Sequence, residues 1–245
     1  MEDYLRYIPH TEEDVQKMLK AIGVKSIEDL FGNIPKGQRL SKPLDLPGPL
    51  SEIDLIRHME GLQSPIFTSF LGGGAYDHFI PAVVSHLTSR SEFYTAYTPY
   101  QAEISQGTLQ AIFEFQTLMC QLTGMEVSNG SMYDGASSLA EAVLMAHRIT
   151  GRKKILLSQT IHPEYREVIR TYIDREEQEI ILIPYLKGEG RTDEKILTQF
   201  LDQDVSAVVI QNPNFFGVIE DFKNIGEKVH QAGGLMNVCF SEAVA

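Results

Sequence analysis

The sequence predicts an α/β fold built on a mostly parallel sheet and preceded by a helical arm. Three observations support this prediction. After Gly151 the chain alternates short β-branched runs with segments of helical character, which is typical of βαβ units. Before Gly151 two long amphipathic segments follow one another, and residues 1–60 read as short helices separated by Gly and Pro.

The N-terminal arm has too few apolar residues for a core of its own. Within it, Thr11–Asp14 (TEED) resembles a capping box that starts a helix, and Gly23 is placed to end that helix. Residues 41–50, SKPLDLPGPL, contain three prolines and predict an extended linker. We therefore assign residues 1–60 to the arm and residues 61–245 to one large α/β domain.

Two long helices are predicted ahead of the strands, over Ile104–Leu122 and Ala136–Ile149. Both have broad apolar faces, so we expect both to be well buried. Before them, Gly72–Gly74 lie in FLGGGAYDHFIP. This pattern is neither GxGxxG after a strand nor a Walker sequence, so a tight turn or close packing is the predicted use.

The region after Gly151 predicts a parallel sheet covered on both faces, because its β-branched runs are continuous and not alternating. The predicted strands are Lys154–Ser158, Glu179–Pro184, Val205–Gln211 and Leu235–Phe240. The predicted helices between them are His162 to about Arg175, Thr192–Leu201 and Asp221–Gln231.

Composition narrows the classes of function. The net charge of −12, with no run of basic residues, argues against nucleic acid and against an anionic membrane surface. The start lacks the pattern of a secretory signal, and no stretch approaches the roughly 20 apolar residues of a membrane span. The two distant cysteines fit reduced thiols, so we expect a cytoplasmic protein. Apart from His162, the six other histidines form no ligand pattern, and no metal site is expected.

Polar residues follow two of the predicted strands, where ligands bind in open parallel sheets. His162 follows the first strand, and Asn212 follows the third. Tyr133 and Asp134 stand at the start of the helix beginning near Ala136, which is suited to an anion. These four residues are a candidate pocket for a planar anionic cofactor. The alternative is mundane: His162 is a helix-entry residue, and Asn212 begins a common Asn-Pro turn.

Four stretches resemble the P-protein family of the glycine cleavage system, and within it the first (α) subunit of the two-subunit bacterial form. They are FLGGGAYDHFIP, SRSEFYTAYTPYQAEISQGTLQAIFEFQTLMCQLTGMEV, SMYDGASSLAEA and VVIQNPNFFGVIED. They extend over most of the chain, and the tyrosine-rich stretch ending in EISQG is long enough to be highly specific.

The resemblance implies a fold-type I pyridoxal-phosphate transferase-like large domain with a mostly parallel sheet. Family members are longer, so the domain is expected to be incomplete at residue 245, truncated before a small C-terminal domain. The resemblance also implies an α₂β₂ heterotetramer with glycine dehydrogenase subunit 2. That complex decarboxylates glycine and passes its aminomethyl group to the lipoyl arm of the H-protein.

The resemblance further implies that pyridoxal phosphate is bound covalently by the partner subunit, which holds the Schiff-base lysine. In agreement, the last predicted strand offers Asn237, Cys239 and Ser241 where an acid facing the pyridine nitrogen is expected. Asn212, His162, Tyr133 and Asp134 would then be a remnant cofactor pocket. The alternatives are an inactive, truncated or purely structural interaction protein, and an independent pyridoxal enzyme, against which the missing lysine argues.

The tyrosine-rich stretch is the predicted contact with the partner's glycine site. Tyr94, Tyr97 and Tyr100 lie three residues apart, and Pro99 pushes Thr98 toward extended geometry. Because extended chain alternates its side chains, we expect at least one tyrosine to face the core and another the partner. The alternative is that all three tyrosines are packed core residues.

Overall fold

The computed structural model describes residues 9–40, 42, 44–70, 73–173, 178–241 and 243. The chain divides into two units, residues 1–66 and residues 67–245. None of the helices in the described ranges is long and apolar enough to cross a membrane.

The first unit contains helices whose ends follow the predicted signals. Its elements are α1 (Glu12–Ile22), 3₁₀ turns at Ile27–Phe31 and Lys36–Gln38, and α2 (Glu52–Gly61). The Thr11 hydroxyl accepts a hydrogen bond from Asp14 N, and the Asp14 carboxylate accepts one from Thr11 N. This capping box confirms the predicted start of α1, and Gly23, with φ of 89°, confirms its end. In the predicted linker, residues 44–50 contain no helix or strand, whereas Ser41 and Pro43 lie outside the described residues.

The helical part of the second unit ends with two long helices, one exposed and one largely buried. Its helices are α3 (Ala82–Thr88), α4 (Ser91–Tyr94), α5 (Gln106–Thr123) and α6 (Gly135–Thr150). The prediction of burial is right for α6, which buries Leu139, Ala140 and Val143 among others. It is wrong for α5, none of whose residues is buried. Amphipathicity predicts which face of a helix needs cover, but none of the described residues buries that of α5.

The strands of the described residues are β1 (Lys154–Ser158), β2 (Glu179–Ile183), β3 (Tyr185–Leu186), β4 (Arg191–Thr192), β5 (Val205–Gln211) and β6 (Leu235–Cys239). Four of them form a parallel sheet in the order β2-β1-β5-β6. All seven residues of β5 are buried, because helices cover both faces of this central strand. The predicted strands are therefore confirmed, and two of them end one residue earlier than predicted.

The helices of the βαβ units are α7 (Pro163–Ile173), α8 (Glu194–Phe200) and α9 (Lys223–Gln231). The predicted end of α7 near Arg175 lies outside the described residues. A short antiparallel pair, β3 (Tyr185–Leu186) with β4 (Arg191–Thr192), was not expected from the pattern. Thr192, the predicted start of a helix, pairs in β4, and the Asp193 side chain caps α8 instead.

Candidate functional site

The loops after β1 and β5 meet at the carboxyl edge of the sheet. These two strands are neighbours and parallel, so His162 and Asn212 follow strand ends on the same edge, as predicted. The loops are also joined directly, because His162 N donates to the Gln211 Oε1 atom over 2.8 Å. Gln211 is only 1% exposed, so its end of this hydrogen bond is shielded from water.

His162 both caps a helix and presents a ring. Its Nδ1 atom accepts a hydrogen bond from Glu164 N over 3.2 Å, so the residue stands at the entry to α7. A backbone N–H can only donate, which places the proton of a neutral His162 imidazole on Nε2. The ring lies 5.1 Å from the Tyr165 ring and 5.1 Å, edge to face, from the Phe215 ring. The helix-entry interpretation is therefore right, and it does not remove the ring from the edge of the sheet.

Asn212 uses its side chain to close a loop over residues 212–220. Its Nδ2 atom donates to Glu220 O over 3.3 Å, and its Oδ1 atom accepts from Glu220 N over 3.0 Å. The Asn212–Pro213 peptide bond is cis. Because both ends of the amide are engaged with the backbone of Glu220, Asn212 is a loop-closing residue in this chain.

The start of α6 lies at the same edge and carries a negative charge. The Asp134 carboxylate accepts from Ser137 N over 2.7 Å, and Asp134 N donates to the Ser137 hydroxyl over 3.3 Å. The hydrogen bond from the Ser137 backbone is the main cause that lowers the pKa of Asp134. Tyr133 is 98% exposed and makes no ring contact with another described residue.

Tyr165 covers the first residue of α6. An ideal Cβ atom at Gly135 would lie 2.7 Å from the Tyr165 hydroxyl, so the backbone approaches this ring as only glycine allows. Burial is the main cause that raises the pKa of Tyr165, and the nearby Cys239 contributes less. Tyr165 was not predicted as a site residue, because its approach to Gly135 depends on how α6 and α7 pack.

A cavity of about 400 Å³ extends between the start of α6 and β6. Gly135, Ser138, Asn237, Cys239 and Phe240 are among its lining residues. Burial raises the pKa of Cys239 to about 11, so its thiol is neutral at physiological pH. The Asn237 Nδ2 atom is buried without a hydrogen-bond partner among the described residues.

Glycines of the FLGGGAYDHFIP stretch pack against this edge. Gly73 N donates to Phe215 O over 2.8 Å, and an ideal Cβ at Gly74 would lie 3.2 Å from the Ser241 hydroxyl oxygen. Both glycines have positive φ. This confirms a tight turn with close packing for Gly73 and Gly74, whereas Gly72 lies outside the described residues.

The tyrosine-rich stretch forms a separate exposed surface. Tyr94, Tyr97 and Tyr100 are 83%, 65% and 81% exposed, so the expectation that one of them faces the core is wrong. The alternation argument fails because Tyr94 ends helix α4 and Tyr100 lies in a bend, so the stretch is not extended. The alternative that all three tyrosines are packed core residues is also wrong, because all three are exposed.

Two of these tyrosines frame a small cavity. The Tyr97 and Tyr100 rings meet edge to face with centroids 6.4 Å apart. Both residues line a cavity of about 180 Å³ together with Thr98, Gln101 and Ile104. Pro99 keeps this turn out of α5, which begins only at Gln106. The hydrogen bonds and ring contacts of the described residues do not connect this stretch to His162.

The carboxyl edge does not fit pyridoxal phosphate. A phosphate at the start of α6 would meet the Asp134 carboxylate, which already accepts the N–H group of Ser137. The Asn212 amide is engaged with Glu220, and the Cys239 thiol cannot supply a negative charge to a pyridine nitrogen. No metal site is present either, since the described residues contain no group of three His, Cys, Asp or Glu side chains placed to bind an ion.

The parallel sheet with helices on both faces places the chain among the α/β proteins. A sphingosine-1-phosphate lyase from Burkholderia pseudomallei shares this fold with a TM-score of 0.51 at 11% identity, over 84% of this chain and 51% of that one. The chain itself belongs to the glycine cleavage system P-protein family, which matches residues 5–245.

Relatives within the family are much closer. A solved glycine decarboxylase (P-protein) of the glycine cleavage system, in inhibitor-bound form, is 46% identical with a TM-score of 0.69, over 95% of this chain and 52% of that one. A probable glycine dehydrogenase (decarboxylating) subunit 1 from Desulfitobacterium hafniense is 53% identical, over 95% of this chain and 53% of its own length. Its counterpart from Geobacillus sp. is 50% identical, over 98% and 54%. The chain thus spans about half the length of the curated relatives it matches.

Proposed function

We propose that this chain acts as subunit 1 of a glycine dehydrogenase (decarboxylating), in an α₂β₂ heterotetramer with subunit 2. The complex decarboxylates glycine, releases CO₂ and transfers the aminomethyl group to the lipoamide of the H-protein. The proposal is supported by family membership and by relatives at 50–53% identity that carry this name. Its two free cysteines fit a cytoplasmic location.

Within that complex, we propose that the partner subunit holds pyridoxal phosphate. One observation at the carboxyl edge supports this proposal. The Asp134 carboxylate and the Asn212 amide already form hydrogen bonds with the chain's own backbone. The cofactor supplies an electron sink for glycine decarboxylation. This chain contributes surface: the exposed tyrosines, with Thr98 and Pro99 between them, would complete the mouth of the partner's glycine site.

Tyrosine fits such a contact because its ring buries a large area while its hydroxyl still reaches a polar group. Tyr97 and Tyr100 already stand edge to face, so both rings are partly ordered before a partner arrives. Preordered aromatic side chains lose little conformational freedom when a partner covers them.

The test is glycine-dependent CO₂ exchange by the partner subunit, measured with and without this chain. The proposal requires exchange that depends on the chain, and equal rates would overturn it. Single Tyr→Phe variants at positions 94, 97 and 100 then locate the contact, with Tyr172→Phe on α7 as the matched control. At least one of the three variants should slow exchange while the complex still assembles, and Tyr172→Phe should not.

The second candidate function is a structural subunit that only stabilises its partner. The uncovered α5, with Phe113 at 63% and Leu118 at 58% exposure, favours a large contact surface. This function predicts that the chain raises the partner's thermal stability but leaves exchange per folded partner unchanged. Rate and stability measured on one preparation therefore distinguish the two functions.

A further inference from the structure

A buried carboxylate lies behind the carboxyl edge of the sheet. Glu220 is 8% exposed, and its Oε2 atom accepts from Thr192 N over 2.7 Å. Its Oε1 atom accepts from Asn214 Nδ2, also over 2.7 Å. One side chain thus connects strand β4 to the loop over residues 212–220.

Hydrogen-bond donors contact this carboxylate directly, and the Arg191 guanidinium adds a weaker electrostatic attraction without forming an ion pair. Among the residues that the structure describes, no basic side chain forms an ion pair with Glu220. Next to it, the Ser158 hydroxyl lies 2.8 Å from those of Thr160 and of Thr192. A buried carboxylate is costly unless its donors are well placed, so the surrounding segments are fixed relative to one another.

Asn214 connects the Glu220 carboxylate to the backbone of the loop over residues 212–220. The residue is fully buried, and its Nδ2 atom also donates to Gly190 O over 2.7 Å. Its Oδ1 atom accepts from Phe216 N over 2.9 Å and from Val218 N over 3.2 Å. Together with the Asn212–Glu220 pair, these bonds hold the loop from inside.

Within the loop, Phe215 contacts Thr160, Gly73 and His162 at the carboxyl edge. Phe215 N donates to Thr160 O over 2.8 Å, and Phe215 O accepts from Gly73 N over the same distance. The Phe215 ring meets the His162 ring edge to face, with centroids 5.1 Å apart. A continuous series of contacts therefore runs from the Glu220 carboxylate through Asn214 and Phe215 to His162.

We propose that Glu220 is a positioning residue, which sets the His162 imidazole and the Gly73 turn through the loop over residues 212–220. It acts through other residues and touches no substrate. The functional part of this inference rests on the proposed glycine dehydrogenase activity, because it assumes that the edge contributes to turnover in the complex.

Glu220→Gln is the direct test, made in the complex of this chain with its partner subunit. The glutamine amide has to point its NH₂ group at either Thr192 N–H or Asn214 Nδ2, where only an acceptor fits. We expect the loop to open about tenfold more often, as judged by chymotrypsin cleavage after Phe215 and Phe216. We also expect a shifted ¹⁵N signal of the His162 ring and slower glycine-dependent CO₂ exchange. Glu227→Gln, on the exposed side of α9, is the matched control.

Cleavage after Phe200, which is 41% exposed on α8, separates positioning from general stability. Selective cleavage at the loop supports the proposal. An equal rise at Phe200 or an unchanged loop overturns the positioning role of Glu220. Normal CO₂ exchange despite an opened loop overturns the contribution of this positioning to turnover. If Glu220→Gln does not fold, Glu220→Asp keeps the charge but shortens the reach, and the same comparison applies.

Failure of the proposed function gives a different result. A complex of wild-type chain and partner without CO₂ exchange would refute the glycine dehydrogenase activity. The cleavage pattern and the His162 signal would still decide whether Glu220 sets the loop.

Discussion

Gln211→Met removes one of the hydrogen bonds that join the loop after β1 to the end of β5 and its loop. In the native chain the Gln211 Oε1 atom accepts from His162 N over 2.8 Å. Methionine has a similar volume and an unbranched, adaptable side chain, so it fills the same space without a large cavity. The change therefore isolates the loss of the acceptor.

The expected cost follows from the burial of the Gln211 side chain and the partial burial of His162. Gln211 is 1% exposed, so water cannot easily replace its oxygen, and His162 N is left without an acceptor. An unsatisfied buried donor costs about 1–3 kcal/mol. For a chain of this size each kcal/mol lowers the melting temperature by about 2–4 °C, so we expect a decrease of about 2–12 °C.

The assay is thermal unfolding followed by circular dichroism, with Gln199→Met as the control. Gln199 lies on the exposed side of α8, where a substitution changes stability by less than about 0.5 kcal/mol. The reasoning is refuted if Gln211→Met melts at the same temperature as Gln199→Met. The ¹⁵N signal of His162 should shift in the first variant and not in the second.

Three further predictions concern the start of α6 and its surroundings. Gly135→Ala should lower the melting temperature, because its Cβ would lie 2.7 Å from the Tyr165 hydroxyl, and Tyr165→Phe should recover part of the loss. An equal loss in both backgrounds would disprove the contact. Cys239, with its pKa raised to about 11, should react slowly with a thiol reagent at pH 8 in a Cys120→Ser protein and accelerate toward pH 11. A rate that levels off below pH 9 would contradict this. The pKa of Asp134 is lowered on folding, so its contribution to stability is complete above 3.8 and is lost as the pH falls through the lower, folded-state pKa. The stability difference between native protein and Asp134→Asn should therefore narrow below pH 3.8, and a constant difference would count against it.

The strands were predictable because their signal is local. Val205–Gln211 is an unbroken apolar and β-branched run, as expected for a strand covered on both faces, and all seven of its residues are buried. The carboxyl-edge position of His162 and Asn212 followed from the parallel order, which the βαβ pattern implies. These predictions needed no knowledge of distant contacts.

The Glu220 cluster was not predictable, because its partners are far apart in sequence. Thr192 precedes Glu220 by 28 residues, and Thr160 precedes it by 60. A pattern confined to a short window contains no information on such pairs. The available signal was weak: an acidic residue directly after the apolar VI of FFGVIED.

The prediction that α5 is buried was wrong for a related reason. The spacing of apolar residues predicts an apolar face on this helix. Whether that face is buried depends on the elements that pack against it, and the helix sequence contains no information on them. The tyrosine-rich stretch shows the same limit, since Pro99 predicted a break in the helix and not the exposure of Tyr94, Tyr97 and Tyr100.

We propose above that this chain shapes the glycine site while its partner holds the cofactor. Borohydride reduction of the reconstituted complex with pyridoxal phosphate, followed by separate mass measurement of the two chains, tests it most directly. We expect a stable pyridoxyl adduct on the partner subunit and an unmodified mass for this chain. A stoichiometric adduct on this chain would contradict it.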